Sequence, residues 1–164
     1  MNGYNSLQTI YKSERVTVSR AIRDMDGKEV ILKSQTSEFP SQRDLTRIKY
    51  EYELSQKFSP KGMVPILVLE KQGNGFTLVM EDVGGIPLLE YWNSSSKTLS
   101  LFLEISISIT KILSNLHENG IVHKDIKPAN ILVSQTTNQV YLIDLGLASL
   151  LSSEEQAPVQ PDTL

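Results

Sequence analysis

The sequence of 164 residues contains no cysteine and only two histidines. The lack of thiols excludes disulfide frameworks, thiolate catalysis and cysteine-bound zinc. The scarcity of histidine argues against a histidine-built metal centre. A formal charge of −3 gives no electrostatic reason to expect nucleic acid or an anionic membrane as the main partner. With 40% hydrophobic and 21% charged residues, the composition is that of a globular protein with a sizeable core.

The first residues, 1–6, have neither the basic region nor the apolar core of a signal peptide. No apolar run looks long enough to span a bilayer. We therefore expect a soluble protein, or a soluble part of one, located in the cytoplasm.

The first half of the sequence has the pattern of five strands and one helix. Asp26-Gly27 lies between two β-prone runs and is typical of a hairpin. Ser41 and Asp44 follow a proline and form a variant of the capping box, which predicts a helix over about 41–58. The predicted strands are 7–11, 16–22, 29–33, 64–71 and 76–83.

The second half, after a predicted boundary at Gly84-Gly85, is more helical. A short helix is predicted over 87–92. Apolar residues recur at spacings of three and four over 99–117, with more of them on other faces, which predicts a core helix buried on most sides. The remaining predicted elements are a strand pair, 131–133 and 140–143, and a mobile polar tail, 152–161.

Two clusters of polar residues can carry chemistry: 123–130, with the sequence HKDIKPAN, and 142–146, with the sequence LIDLG. The first places a carboxylate, an ammonium group and a carboxamide within six residues. The second adds a carboxylate on a turn after an apolar strand. Such groups can hold metal-bound phosphates beside a hydroxyl nucleophile.

These clusters resemble the catalytic loop and the metal-binding loop of protein kinases, which have the patterns H-R-D-x-K-x-x-N and D-F-G. The resemblance implies that Asp125 accepts or orients the substrate hydroxyl proton and that Lys127 stabilises charge on the moving phosphoryl group. It also implies that Asn130 and Asp144 hold the magnesium ions that accompany ATP. A single Asp-x-Lys is more often turn chemistry than catalysis, but here the full match and the second cluster coincide.

Residues 30–33, with the sequence VILK, resemble the V-A-I-K strand whose lysine contacts nucleotide phosphates. In kinases this lysine, here Lys33, needs a glutamate partner from the following helix. Glu51 and Glu53 are both candidates. Because Glu51 shares a helix face with Ile48 and Leu54, it should be buried and reach Lys33, whereas Glu53 should face solvent.

Residues 76–83 resemble the strand that leads into the connection between the two kinase lobes. The resemblance places Met80 at the back of the adenine pocket, with Glu81 and Val83 in the hinge that binds adenine through backbone groups. Without the other motifs, a plain core strand fits these residues equally well.

The sequence departs from the kinase pattern in its phosphate loop. Tyr11, Ser13 and Val16 stand where the glycines of G-x-G-x-x-G would be. Glycines there let backbone amides approach phosphate closely, so we expect a weaker or reshaped grip on nucleotide. Lys124 replaces the arginine of H-R-D, and Leu145 replaces the phenylalanine of D-F-G as an apolar plug.

The resemblance runs from about Leu7 to Ser149 but covers only the first part of a kinase domain. It implies an α+β, bilobal kinase-like fold with a complete N-lobe in 1–84, the start of the C-lobe in 85–149 and a truncated activation segment in 150–164. The segment ending in A-P-E and the large platform helices have no counterpart. We therefore expect exposed apolar surface on the helix over 99–117.

The implied reaction is transfer of the γ-phosphoryl group of magnesium ATP to a serine or threonine hydroxyl of a protein, with little activity in this chain alone. One alternative is a small-molecule kinase of the aminoglycoside or choline type, against which Lys127 argues. Another is a pseudokinase or nucleotide-binding interaction module, which the loop without glycines favours. Residues 50–54 and 81–85 look like the kinase domains that begin large multidomain bacterial signalling proteins, which implies downstream signalling domains as partners.

Overall fold

The computed structural model describes residues 3–151. A five-stranded antiparallel sheet forms the first half, with the strand order β1-β2-β3-β5-β4. This sheet confirms the predicted strands, whose ends shift by only a few residues. Its members are β1 (Tyr4–Lys12), β2 (Val16–Arg23), β3 (Glu29–Gln35), β4 (Ile66–Gln72) and β5 (Gly75–Glu81).

Helix α1 (Gln42–Phe58) packs against β4 and β5. Its first turn is capped by Ser41, whose Oγ accepts the backbone N–H of Asp44 at 3.2 Å, as the capping box predicts. The helix ends at Ser59, which adopts a left-handed conformation with φ of 39°. The buried face of α1 carries Ile48, Glu51 and Leu54, so this helix brings a carboxylate to the sheet.

In the second half, as far as residue 151, the structure has two small sheets, two α-helices, α2 (Leu88–Ser94) and α3 (Leu99–Glu118), and a short 3-10 helix, Pro128–Asn130. Strands β6 (Gly85–Pro87), β8 (Ile131–Ser134) and β9 (Val140–Leu142) form a three-stranded sheet in the order β6-β8-β9. Strand β7 (Ile121–Val122) pairs with β10 (Ser149–Leu150). The predicted pair β8–β9 is therefore confirmed, and β6 is an additional strand.

Helix α3 is less buried than the sequence predicts. Ile105, Ile112 and Leu116 lie in the core, but Phe102 and Ile107 are 54% and 52% exposed. The prediction of burial on most sides is wrong, while the predicted exposed apolar surface is present. The helix is also long and apolar enough to cross a bilayer by length and composition alone, contrary to the sequence expectation. Its buried residues pack as in a core helix.

One apolar cluster joins the two predicted lobes. Leu78 and Met80 of β5 and Ile48 of α1 pack with Leu132 of β8 and with Ile143. The lobe boundaries at 84 and 149 remain predictions. The predicted activation segment, 150–164, begins within β10, and the predicted mobile tail lies outside the described residues.

Candidate active site

Lys33 lies at the centre of an ionic group in which Lys33 is largely buried, Glu51 is buried and Asp144 is partly exposed. Its Nζ is 2.7 Å from Glu51 Oε2 and 3.2 Å from Asp144 Oδ1. Glu51 is only 3% exposed, whereas Glu53 is an exposed residue of the same helix. The helix face that carries apolar residues therefore provides the partner of Lys33.

Burial and mutual attraction set the charges of this group. Burial opposes the charged form of Lys33, but Glu51 and Asp144 outweigh it and raise the pKa of Lys33. Burial raises the pKa of Glu51, and attraction to Lys33 offsets this only in part. Burial also raises the pKa of Asp144, but the positive charge of Lys33 outweighs burial, so the pKa of Asp144 is lowered. At neutral pH the group therefore presents a cation beside an ionised Asp144.

Asp125 is held by two side chains of its own loop. Its Oδ2 accepts hydrogen bonds from Lys127 Nζ at 2.7 Å and from Asn130 Nδ2 at 2.8 Å. The bond from Lys127 lowers the pKa of Asp125, burial acts against it, and the bond from Asn130 lowers the pKa further. Asp125 is therefore an ionised carboxylate that can accept a hydrogen bond from a hydroxyl group.

His123 connects this loop to the segment before Asp144. It is 1% exposed. Its Nδ1 accepts the backbone N–H of Asp125 at 3.3 Å, so the proton is on Nε2, which donates to the carbonyl of Ile143 at 3.1 Å. The backbone N–H of Ile143 donates to the carbonyl of Asn130 at 3.0 Å. These bonds keep the two polar clusters side by side.

The turn at Asp144 places two neighbouring side chains, polar Asp144 and apolar Leu145, in different surroundings. Asp144 has a φ of 72°, a left-handed conformation that costs roughly 1 kcal/mol or more outside glycine. Its Oδ1 accepts the N–H of Gly146 at 3.2 Å. Leu145, 1% exposed, lies in the core cluster. The strained turn directs the carboxylate toward Lys33 while leucine anchors the loop.

Asn130 and Asp144 carry the kind of oxygen donor that a magnesium ion prefers. Because Asn130 directs its Nδ2 toward Asp125, its Oδ1 remains as a possible ligand, and magnesium prefers oxygen donors. Within residues 3–151, no group of three or more histidine or acidic side chains could hold a metal. The two residues therefore suit an ion whose other ligands are phosphates and water.

An open cavity of about 260 Å³ lies beside the ionic group of Lys33 and the carboxylate of Asp125. Lys33, Glu51, Asp125, Lys127 and Asp144 all line it, so the fold brings five of the predicted site residues together. The other four predicted site residues do not line it. Asn130 is buried beside Asp125, Met80 is buried in the apolar cluster, Val83 packs against that cluster and Glu81 is exposed.

Two arginines that the sequence analysis did not single out also line the cavity: Arg15, in the turn between β1 and β2, and Arg47, on α1. Arg47 lies four residues before Glu51 and close to Gly146. Helical spacing from Glu51 could have indicated Arg47. Arg15 could have been noticed as a cation in the turn that replaces the glycine-rich loop.

The predicted hinge is tied to the sheet by an ion pair between Arg20 of β2 and Asp82. Asp82 Oδ1 also accepts the N–H of Gly84 at 2.9 Å. In the sheet, Arg20 pairs with Ile31 and Ile31 with Met80, so the side chain of Arg20 passes across β3 to reach Asp82. This pair restrains the segment at which a nucleotide base is predicted to bind.

Comparison with known proteins gives a match to the family described as Protein kinase domain over residues 4–163. The serine/threonine-protein kinase PrkC of Bacillus subtilis is 28% identical over 153 residues, covering 92% of this chain and 22% of its own length. PkaA of Streptomyces coelicolor, also a serine/threonine-protein kinase, is 26% identical over 158 residues, covering 92% of this chain and 29% of its own length.

A shorter relative is the EKC/KEOPS complex subunit BUD32 of Enterocytozoon bieneusi, 26% identical over 159 residues. The match covers 92% of this chain and 72% of that protein. The chain therefore spans less than a third of the length of PrkC or PkaA, but most of the length of this smaller relative.

Proposed function

Because the chain belongs to the protein kinase family, we propose that its cavity binds magnesium ATP and that the encoded reaction phosphorylates a serine or threonine hydroxyl of a protein. The observation that carries this proposal is the contact of Lys33 with Glu51 and Asp144 in the same cavity as Asp125 and Lys127. Phosphoryl transfer depends mainly on positioning and charge neutralisation, which this arrangement supplies.

Each residue has a defined part in the proposed reaction. Lys33, fixed by Glu51, binds phosphate oxygens of the nucleotide. Asp125 orients the acceptor hydroxyl and takes up its proton, and Lys127 stabilises the negative charge of the phosphoryl group in transit. Asn130 and Asp144 would hold the magnesium, which, when bound, neutralises charge on the phosphates.

We propose that the 164 residues alone bind nucleotide weakly and transfer phosphate inefficiently. The support is the turn without glycines between β1 and β2 and the exposed apolar side of α3. The lengths of PrkC and PkaA are consistent with this chain working as part of a longer protein with downstream signalling domains. A cytoplasmic location belongs to the same proposal.

Thermal unfolding with ATP, in the presence and absence of magnesium, tests the site. At a nucleotide concentration 100-fold above Kd, we expect stabilisation by about 2.7 kcal/mol. Asp144→Ala should remove the magnesium dependence, while Asp24→Ala, which changes an exposed aspartate of the β2–β3 turn, should keep it. A wild-type chain that responds identically with and without magnesium would show that the metal assignment is wrong.

A nucleotide-binding interaction module is the second candidate, and the glycine-free turn favours it. Both candidates predict nucleotide binding, so phosphoryl transfer must separate them. Because transfer by this chain alone is proposed to be inefficient, the assay measures slow transfer of labelled γ-phosphate to a generic protein substrate. Transfer above the background of Asp125→Asn supports the kinase. Magnesium-dependent binding without any transfer supports the interaction module. Lys127, in contact with Asp125, argues against a small-molecule kinase.

A further inference from the structure

The turn between β1 and β2 uses its own backbone amides. The N–H of Ser13 donates to the carbonyl of Val16 at 2.9 Å. The N–H groups of Arg15 and Val16 donate to Ser13 Oγ at 3.3 and 3.1 Å. Ser13 Oγ is itself 3.2 Å from the carbonyl of Val16. Three amides of the turn therefore already have acceptors inside it.

A phosphate in the cavity would have to compete for these amides. Glycine-rich loops bind phosphate because their N–H groups point freely at the ligand and no Cβ keeps it away. Here the Ser13 hydroxyl occupies the amides of Arg15 and Val16, so a phosphate could use them only by breaking existing hydrogen bonds. On the side of the cavity formed by the β1–β2 turn, a hydrogen bond to phosphate must therefore come from another donor.

The same turn supplies such a donor, because Arg15 lines the cavity with Lys33, Lys127 and Asp144. The two lysines already have partners: Lys33 contacts Glu51 and Asp144, and Lys127 contacts Asp125. Among residues 3–151, Arg15 forms no ion pair within 4.0 Å. An arginine presents five N–H donors in a planar fork that matches the oxygens of a phosphate.

We propose that Arg15 binds the phosphates of the nucleotide in place of the backbone amides of a glycine-rich loop. This inference rests on the proposed function, because it assumes that the cavity accepts magnesium ATP. It assigns phosphate recognition on the sheet side of the cavity to a side chain, which makes that recognition sensitive to a single substitution.

Calorimetric titration of the full 164-residue chain with magnesium ATP and with magnesium tripolyphosphate tests the inference. Arg15→Ala should lower the affinity for both ligands about tenfold, the loss expected when a charge-assisted hydrogen bond to phosphate is removed. Arg15→Lys should recover part of the affinity. Lys12→Ala, which removes an exposed cation at the end of β1 that does not line the cavity, should change it less than about twofold.

A second experiment tests the role of the turn amides. Ser13→Gly removes the hydroxyl that holds them, so the Arg15→Ala/Ser13→Gly variant should bind tripolyphosphate about threefold more tightly than Arg15→Ala alone. This recovery reports on the amides and not on the side chain of Arg15, and equal affinities of these two variants would overturn the part of the inference that concerns the amides.

Lys33→Met separates failure of this inference from failure of the proposed function. Unchanged affinity in Arg15→Ala, together with loss in Lys33→Met, would overturn the role of Arg15 and leave the nucleotide site in place. A wild-type chain that binds neither ligand would overturn both proposals.

Discussion

The ammonium group of Lys33 lies 2.7 Å from the carboxylate of Glu51, and the two side chains are only 14% and 5% exposed. Lys33 belongs to β3 and Glu51 to α1, so this ion pair joins the sheet to its helix. A buried pair adds little net stability compared with apolar residues, but removal of one partner leaves the other charge buried without compensation. The pair therefore links the fold to the candidate site.

Glu51→Ala should lower the free energy of unfolding by about 3 kcal/mol, the lower end of the range for breaking a buried pair, because Asp144 still contacts Lys33. Urea denaturation measures this loss. The matched control is Glu53→Ala, on the exposed side of the same helix, which should change stability by less than about 0.5 kcal/mol. Similar effects of the two substitutions would contradict the assignment of Glu51 as the partner of Lys33.

Lys127→Ala should raise the pKa of Asp125 toward its ordinary value. The hydrogen bond from Lys127 is the largest influence that lowers this pKa, and the bond from Asn130 remains in the variant. A carboxyl group with a lowered pKa contributes stability above its ordinary pKa of 3.8 and loses it as the pH falls through the folded-state value. In the variant, the stability lost on acidification should therefore be smaller, and the loss should be complete at a higher pH than in the wild type.

Carbon-13 NMR titration of the aspartate carboxyl groups measures the Asp125 pKa directly. Lys97→Ala, at an exposed lysine before α3, serves as the control and should leave the titration of Asp125 in place. An Asp125 titration that is identical in wild type and Lys127→Ala would rule out the lysine as its electrostatic partner.

The features that could be read from the sequence are those set by neighbouring residues. Ser41 and Asp44 define the start of α1 through a local hydrogen bond, and helical spacing alone distinguishes Glu51 from Glu53. The pairings β1–β2, β2–β3 and β4–β5 follow from short turns between consecutive β-prone runs, whereas the pairing of β3 with β5 does not. These patterns act over a few residues and need no knowledge of distant contacts.

The features that sequence analysis missed depend on distant contacts. Periodicity identifies Phe102 as apolar but cannot tell whether another element covers it, and in the structure it is largely exposed. Strand β6 has only three residues and forms because β8 offers a free edge beside it. The missing glycines near Ser13 were evident, but the use of its hydroxyl by the turn amides was not. The roles of Met80, Glu81 and Val83 stay predictions.

Gly62→Ala should destabilise the protein by about 3 kcal/mol. Gly62 has a φ of 84°, and an added Cβ would overlap the side chain of Ile112 on α3. The left-handed conformation costs roughly 1–2 kcal/mol and overpacking a similar amount. Gly73→Ala isolates the first contribution, since Gly73 has a φ of 55° with no atom near its added Cβ. If urea denaturation gives equal losses of stability for Gly62→Ala and Gly73→Ala, then the added Cβ at position 62 does not clash with Ile112.

His123→Phe should keep the ring volume but remove both hydrogen bonds of the imidazole. The N–H of Asp125 and the carbonyl of Ile143 would then lack partners, at a cost of about 1–3 kcal/mol each. Because these bonds hold Asp125 near the segment that carries Asp144, hydrogen exchange at the Asp125 amide should also become faster. His117→Phe, at the exposed end of α3, is the control and should alter neither stability nor exchange appreciably. His123→Phe could instead unfold at the wild-type urea concentration and keep the Asp125 amide protected from exchange. In that case the backbone hydrogen bond between Ile143 and Asn130 is enough to hold the two loops together, and His123 is not the residue that connects them.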